Sequence, residues 1–176
     1  MKRNLLVSSY DYELSKQVAK ALAEGFSMRF FDQKELFEFD HVPRTFGEVC
    51  NEIGEEYVQK KLRSIIKGEL EFDDAVMVAD MCFVDNCADL FYKIKLSNFI
   101  VFLYKDIDTE VEELSQKVHT CEAEKHLIVP SQDKLMQRES AMKMELADIV
   151  VDVNKKTTMQ IVDEIVDKIK NYYSVN

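Results

Sequence analysis

Few side chains in this sequence fall into patterns that could carry a reaction. His41, His119 and His126 could serve as general bases near neutral pH. No serine or cysteine stands beside them in a nucleophile context such as GxSxG. His119-Thr120-Cys121 reads as a helix end, where surface or capping roles are the commoner ones. Asp80, Asp85 and Asp89 gather behind the third apolar run, where oxygen ligands could hold a divalent cation but more often cap local backbone. The four cysteines, Cys50, Cys82, Cys87 and Cys121, include no CxxC pair. The Cys82–Cys87 spacing is too wide for a zinc knuckle, so all four read as buried free thiols. Met136, Met142 and Met144, at near-helical spacing, read as packing. The residues themselves therefore predict no metal site and no catalytic constellation.

The elements that would position these groups alternate in kind. Asn4–Ser8 reads as a buried strand. Leu14, Val18 and Leu22 then mark one face of a helix over Glu13–Glu24. Phe30-Phe31 is a short second strand, and Thr45–Lys67 has helical period up to Gly68. Ala75–Ala79 is the third strand, and Ala88–Leu96 a helix. Phe99–Tyr104 (FIVFLY) is a continuous β-branched and aromatic run, as a strand covered on both faces requires. Asp108 reads as the N-cap of a helix carrying Val111, Leu114 and Val118. Ile149–Val153 is a fifth strand, and a last helix starts near Thr158 behind a Thr157/Gln160 capping box. This alternation predicts an α/β fold with a parallel sheet between helical layers.

Composition narrows the partners. The 176 residues fit one domain spanning 1–176, with 120–132 as the least patterned stretch and the candidate for a small lid. A net charge of −10 argues against nucleic acid and against an anionic membrane surface. Leu5–Val7 is too short for a signal-peptide core, and no apolar run has the length of a membrane span, so a cytoplasmic protein is expected.

Four stretches, in order, resemble the shikimate kinase branch of the P-loop kinases. Leu22-Ala23, Gly25-Phe26 and Phe30-Phe31-Asp32 are similar to that family's LAxxLGxxFxD run. Phe46–Tyr57 (FGEVCNEIGEEY) is similar to its IxEIFxxxGExxF, with Gly54-Glu55 kept. Phe99–Leu103 and the acidic helix after it resemble the fourth strand and its successor. Glu145–Val153 (ELADIVVDV), followed by a Thr-capped helix, resembles the family's EVADxVVDT and final helix. The resemblance implies a three-layer P-loop kinase-like fold with strand order 2-3-1-4-5.

It also implies functional positions, and most are altered. A phosphate loop reads GxxxxGK[ST], because glycines let backbone N–H groups turn inward around the phosphates. The corresponding stretch, Ser8–Lys16 (SSYDYELSK), has no glycine, and Asp11 and Glu13 would face phosphate with like charge. Lys16 falls one residue late for the phosphate lysine, about 100° round a helix. Ser9, Ser15 and Lys16 are thus the vestige of a cofactor loop, in a tight polar turn with Lys16 on a solvated face. Of the family's DxD, Asp32 remains and Lys34 replaces the substrate carboxylate. Gln59 stands where a substrate-clamping arginine is expected. Asp80-Met81-Cys82 replaces a glycine triplet, Glu124–Leu127 replaces the lid arginine-proline pair, and Arg138 lies within about one residue of the late substrate arginine.

Phosphoryl transfer consists almost wholly of positioning and charge neutralisation. The expected function is therefore a degenerate shikimate kinase-like domain without phosphotransferase activity, binding a small molecule or a protein partner and needing no cofactor. The alternative is a divergent kinase that uses ATP and Mg²⁺ through Lys16, Lys34, Asp32 and Arg138 to phosphorylate a small-metabolite hydroxyl. A third reading is a subunit that works only as a homo-oligomer.

Overall fold

A computed structural model describes residues 4–9, 11–79, 90–106 and 144–175. Five strands form one sheet: β1 (Asn4–Ser8), β2 (Arg29–Asp32), β3 (Ala75–Val78), β4 (Asn98–Tyr104) and β5 (Ile149–Asp152). Their order is β2-β3-β1-β4-β5 and every pairing is parallel. Leu6 sits between Met77 and Ile100, and Phe31 pairs with Met77, which fixes which side chains share a face. The expected α/β architecture and strand order are those observed.

Strand periodicity divides the core in two. Leu5, Val7, Val76, Val78, Val101 and Leu103 face α1 (Tyr12–Phe26) and the last helix, α6 (Thr158–Val175), through Val18, Leu22, Ile161 and Ile165. Leu6, Met77 and Ile100 face the other way, onto Ile66 of α4 (Glu55–Glu69) and Ile94 of α5 (Phe91–Ser97). Both faces are apolar because both are covered, which explains the uninterrupted runs in the sequence.

The segment between β2 and β3 departs from expectation. A seven-residue helix, α2 (Gln33–Phe39), follows β2 directly and was not expected. The single helix expected over Thr45–Lys67 is two, α3 (Phe46–Ile53) and α4, broken at Gly54. Gly54 has φ 105° and ψ 159°, a conformation that belongs essentially to glycine, so the helical period runs on while the backbone does not. Thr45 closes the front of α3 as a capping box with Glu48. The end expected near Gly68 is found one residue on, where α4 closes at Glu69. Phe37, Val49, Val58 and Leu62 make a small separate core that binds α2, α3 and α4 together. The Asp108 helix, the 120–132 stretch, the Asp80–Asp89 acids, Cys82, Cys87, Cys121, His119 and His126 lie outside the described residues.

Candidate functional site

Open parallel sheets present ligand sites beyond the carboxyl ends of their strands. Here that edge is formed by the end of β1, the turn into α1, and the junction of β2 with α2. The β1–α1 turn is closed by its own side chains. Asp11 is the N-cap of α1, and its carboxylate accepts from the Leu14 N–H at 3.1 Å. The Ser9 hydroxyl donates to the Asp11 carbonyl at 2.6 Å, and its oxygen lies 2.7 Å from Ser15 Oγ. Ser9 and Ser15 are both buried, and their hydroxyls point into the fold. They link the end of β1 to the first turns of α1.

The second half of the site is built around Asp32, which is 3% exposed. Its Oδ1 caps α2, accepting from the backbone N–H groups of Lys34 (2.9 Å) and Glu35 (3.0 Å). The same oxygen accepts from the Tyr12 hydroxyl at 2.6 Å, while that hydroxyl in turn accepts from the Lys34 N–H at 3.1 Å. Oδ2 has no donor at hydrogen-bonding angle, and the Lys16 ammonium balances it at 2.9 Å. Burial alone would push the Asp32 carboxyl up; hydrogen bonds from Tyr12 and the Glu35 N–H, together with Lys16, outweigh it and hold the group below its usual range.

Lys16 is thus not on a freely solvated face, as its register suggested. Its Nζ bridges Asp32 and, at 2.6 Å, Glu35 Oε1. The Glu35 contact first, then Asp32, raise the ammonium well above the ordinary lysine range against a smaller desolvation effect. Lys34 is half-buried, with Nζ 5.9 Å from the Tyr12 ring centroid and 5.6 Å from that of Phe46. Gln59 is half-buried on α4, and none of the bonds above reaches it. Arg138 lies outside the described residues.

Sequence reading singled out Lys16 and Asp32 but expected Lys16 on a solvated face, and it missed Tyr12 and Glu35, which bond to the pair. A signal was present: Asp32 and Glu35 have N-cap and N3 spacing ahead of Phe37, the pattern that starts a helix. A further buried acid was also missed. Glu69 ends α4 at 3% exposure, and neither of its oxygens has a hydrogen-bond partner among the described residues. Burial, and secondarily the charge of Asp32, pushes its carboxyl up to about 8.

Two other observations bear on chemistry. His41 is buried, its Nδ1–H donating to the Phe37 carbonyl at 2.6 Å, so that Nε2 accepts from the Tyr57 hydroxyl at 2.8 Å. Both nitrogens are thereby committed to tying α2 to α4. Among the described residues no three His, Cys, Asp or Glu side chains converge as a metal site would require, and no helix is long and apolar enough to cross a membrane.

Comparison with known proteins accords with this fold. The structure is similar to shikimate kinase from Aquifex aeolicus, at 15% identity over 98% of this chain and 99% of that one, with a TM-score of 0.76. A shikimate kinase from Acinetobacter baumannii, solved with shikimate, is 13% identical over 98% and 95% of the two chains, also at TM-score 0.76. A gluconokinase from Sinorhizobium meliloti shares the fold more loosely, with 15% identity, 99% and 98% coverage and a TM-score of 0.52. No curated protein matches. The family model described as shikimate kinase matches residues 16–170, a span that begins at Lys16 and leaves the β1–α1 turn outside it. The chain belongs to the shikimate kinase family.

Proposed function

We propose that this chain is a shikimate kinase-family domain without phosphotransferase activity, which binds a small molecule or a protein partner through the cleft above β1 and β2. One observation carries the reading: the N-terminus of α1, where a P-loop protein seats phosphate, is already capped by the carboxylate of Asp11. An incoming phosphate would meet that negative charge in place of free N–H groups. The glycine-free turn cannot open without strain, because non-glycine residues at positive φ cost about 1–2 kcal/mol each. Asp32 spends its oxygens on capping α2, on Tyr12 and on Lys16, which leaves it a poor partner for a hydrated Mg²⁺. The residues present do not fit ATP with Mg²⁺.

The test is ADP formation from Mg-ATP with shikimate, and with related polyhydroxy acids, as acceptors. Rates equal to an enzyme-free blank are expected. Turnover above the blank that disappears in Lys16→Ala would replace this reading with the divergent kinase, and ATP and Mg²⁺ would then be its cofactors.

A further inference from the structure

The far end of α2 carries apolar surface that the fold leaves uncovered. Phe39, its last residue, is 78% exposed, and Val42, in the turn that follows, is 74% exposed. The backbone between them is anchored. His41 is buried, stacks on Phe37 at 4.3 Å and meets the Tyr57 ring edge-on at 5.7 Å. Its backbone N–H donates to the Glu38 carbonyl, and its carbonyl accepts from the Arg44 N–H, both at 2.9 Å. Phe39 and Val42 therefore flank a fixed residue, beside Tyr57, which is itself 39% exposed. Apolar side chains on so rigid a base lose little freedom when something covers them.

Two ion pairs border this ridge. Lys61 Nζ on α4 lies 2.7 Å from Asp40 Oδ2, and Arg44 Nη1 lies 3.1 Å from Glu52 Oε2 on α3. All four side chains reach solvent. The nearby Glu38 is engaged elsewhere, accepting from the Phe46 N–H at 2.9 Å. The rim thus holds equal numbers of each sign. A strongly basic or strongly acidic partner would leave half of it facing like charge. A second copy, turned about a two-fold axis, brings the same pairs, so that each base can meet an acid of its neighbour. The net charge of −10 opposes self-association only at long range, since salt screens it beyond about 8 Å at physiological ionic strength.

We propose that the ridge of Phe39, Val42 and Tyr57 is a homodimer interface, in which the apolar side chains of two copies pack about a two-fold axis inside a rim of the Arg44–Glu52 and Lys61–Asp40 pairs. An aromatic centre within a polar rim is the usual anatomy of such a surface. The ridge also communicates with the candidate site, because Asp32 caps the first turn of α2 and Phe39 ends its last. Dimerisation would hold that helix at both ends.

The experiment is sedimentation equilibrium of the full chain from micromolar to millimolar concentration. The weight-average mass should climb from 20.5 kDa toward twice that value. Phe39→Ala should weaken association by about thirtyfold or more, as truncation of a central aromatic anchor does. Tyr92→Ala, at a comparably exposed aromatic on α5, should leave it unchanged. Arg44→Glu and Glu52→Arg should each associate more weakly alone and should pair with one another when mixed, because the mixture restores opposite charges across the axis. A chain that stays at 20.5 kDa at millimolar concentration overturns the proposal and leaves the ridge to a different protein. Association that Phe39→Ala does not weaken overturns it as well, as does a mixture no more associated than either charge variant alone. Should Phe39→Ala fail to fold, Val42→Asp takes its place, with the same loss expected and an undiminished mass counting against the interface. Either result leaves the absence of phosphotransfer untouched, which ADP formation alone decides.

Discussion

Replacing Glu69 with glutamine should flatten the pH dependence of this protein's stability. Glu69 is 3% exposed, with no partner for either oxygen among the described residues, and its carboxyl sits near 8 against an ordinary 4.5. A raised folded-state value means the native protein holds this proton more tightly than the unfolded chain. The favourable condition is therefore complete below about 4.5 and is lost as pH rises through about 8. Across that window the native state carries about one extra proton, and stability should fall by about 1.4 kcal/mol per pH unit. From pH 5 to pH 8 the total is about 4 kcal/mol, a large part of the 5–15 kcal/mol of about any domain. Glu69→Gln keeps the shape and removes the titration. Urea unfolding at pH 5, 6.5 and 8 should give a steep series for the wild type and a nearly level one for the variant, with the variant the more stable at pH 8. Parallel series for the two proteins would refute the argument, and would mean that water or local opening hydrates this carboxyl.

Other outcomes follow from single contacts. Tyr12→Phe removes the hydroxyl that donates to Asp32 and should cost about 1–3 kcal/mol in denaturant unfolding, since it strips a charge-assisted bond from a buried carboxylate. Gly54→Ala should cost about 1–3 kcal/mol through backbone strain alone, because a Cβ there would meet nothing within 4 Å while φ stays at 105°; unchanged thermal stability would mean that the α3–α4 break relaxes freely. Met77→Ala should cost about 2–5 kcal/mol, as the side chain is fully buried between Leu6 and Phe31 on the α4 face of the sheet.

The sheet was legible in the sequence because each strand is an apolar run with helical period on either side. Phe99–Leu103 could face nothing but two covering layers, and residues 98–104 form the longest strand. The β2–β3 segment was harder for a physical reason. Helical period persists through Gly54, and periodicity records which face is buried, not whether the backbone stays continuous. Helix α2 was hidden because seven residues hold too few apolar positions to show a period, although its Asp32/Glu35 start was in view. At the site, the absence of glycine from residues 8–16 is plain in the sequence. What the sequence could not reveal was which groups Lys16 meets, since its partners lie 16 and 19 residues away across a strand end. Glu69 carried no sign either: a glutamate closing a helix reads as surface until the packing of α4 against the sheet turns it inward.

The most direct test of the central claim is calorimetric titration of the purified protein with ATP and with ADP, each with and without Mg²⁺. An Asp11-capped α1 and a glycine-free turn predict no saturable heat and no thermal stabilisation at millimolar nucleotide. Saturable one-to-one Mg-nucleotide binding that is abolished in Lys16→Ala would contradict it, and would mean that the Ser8–Lys16 turn opens to cradle phosphate without a single glycine.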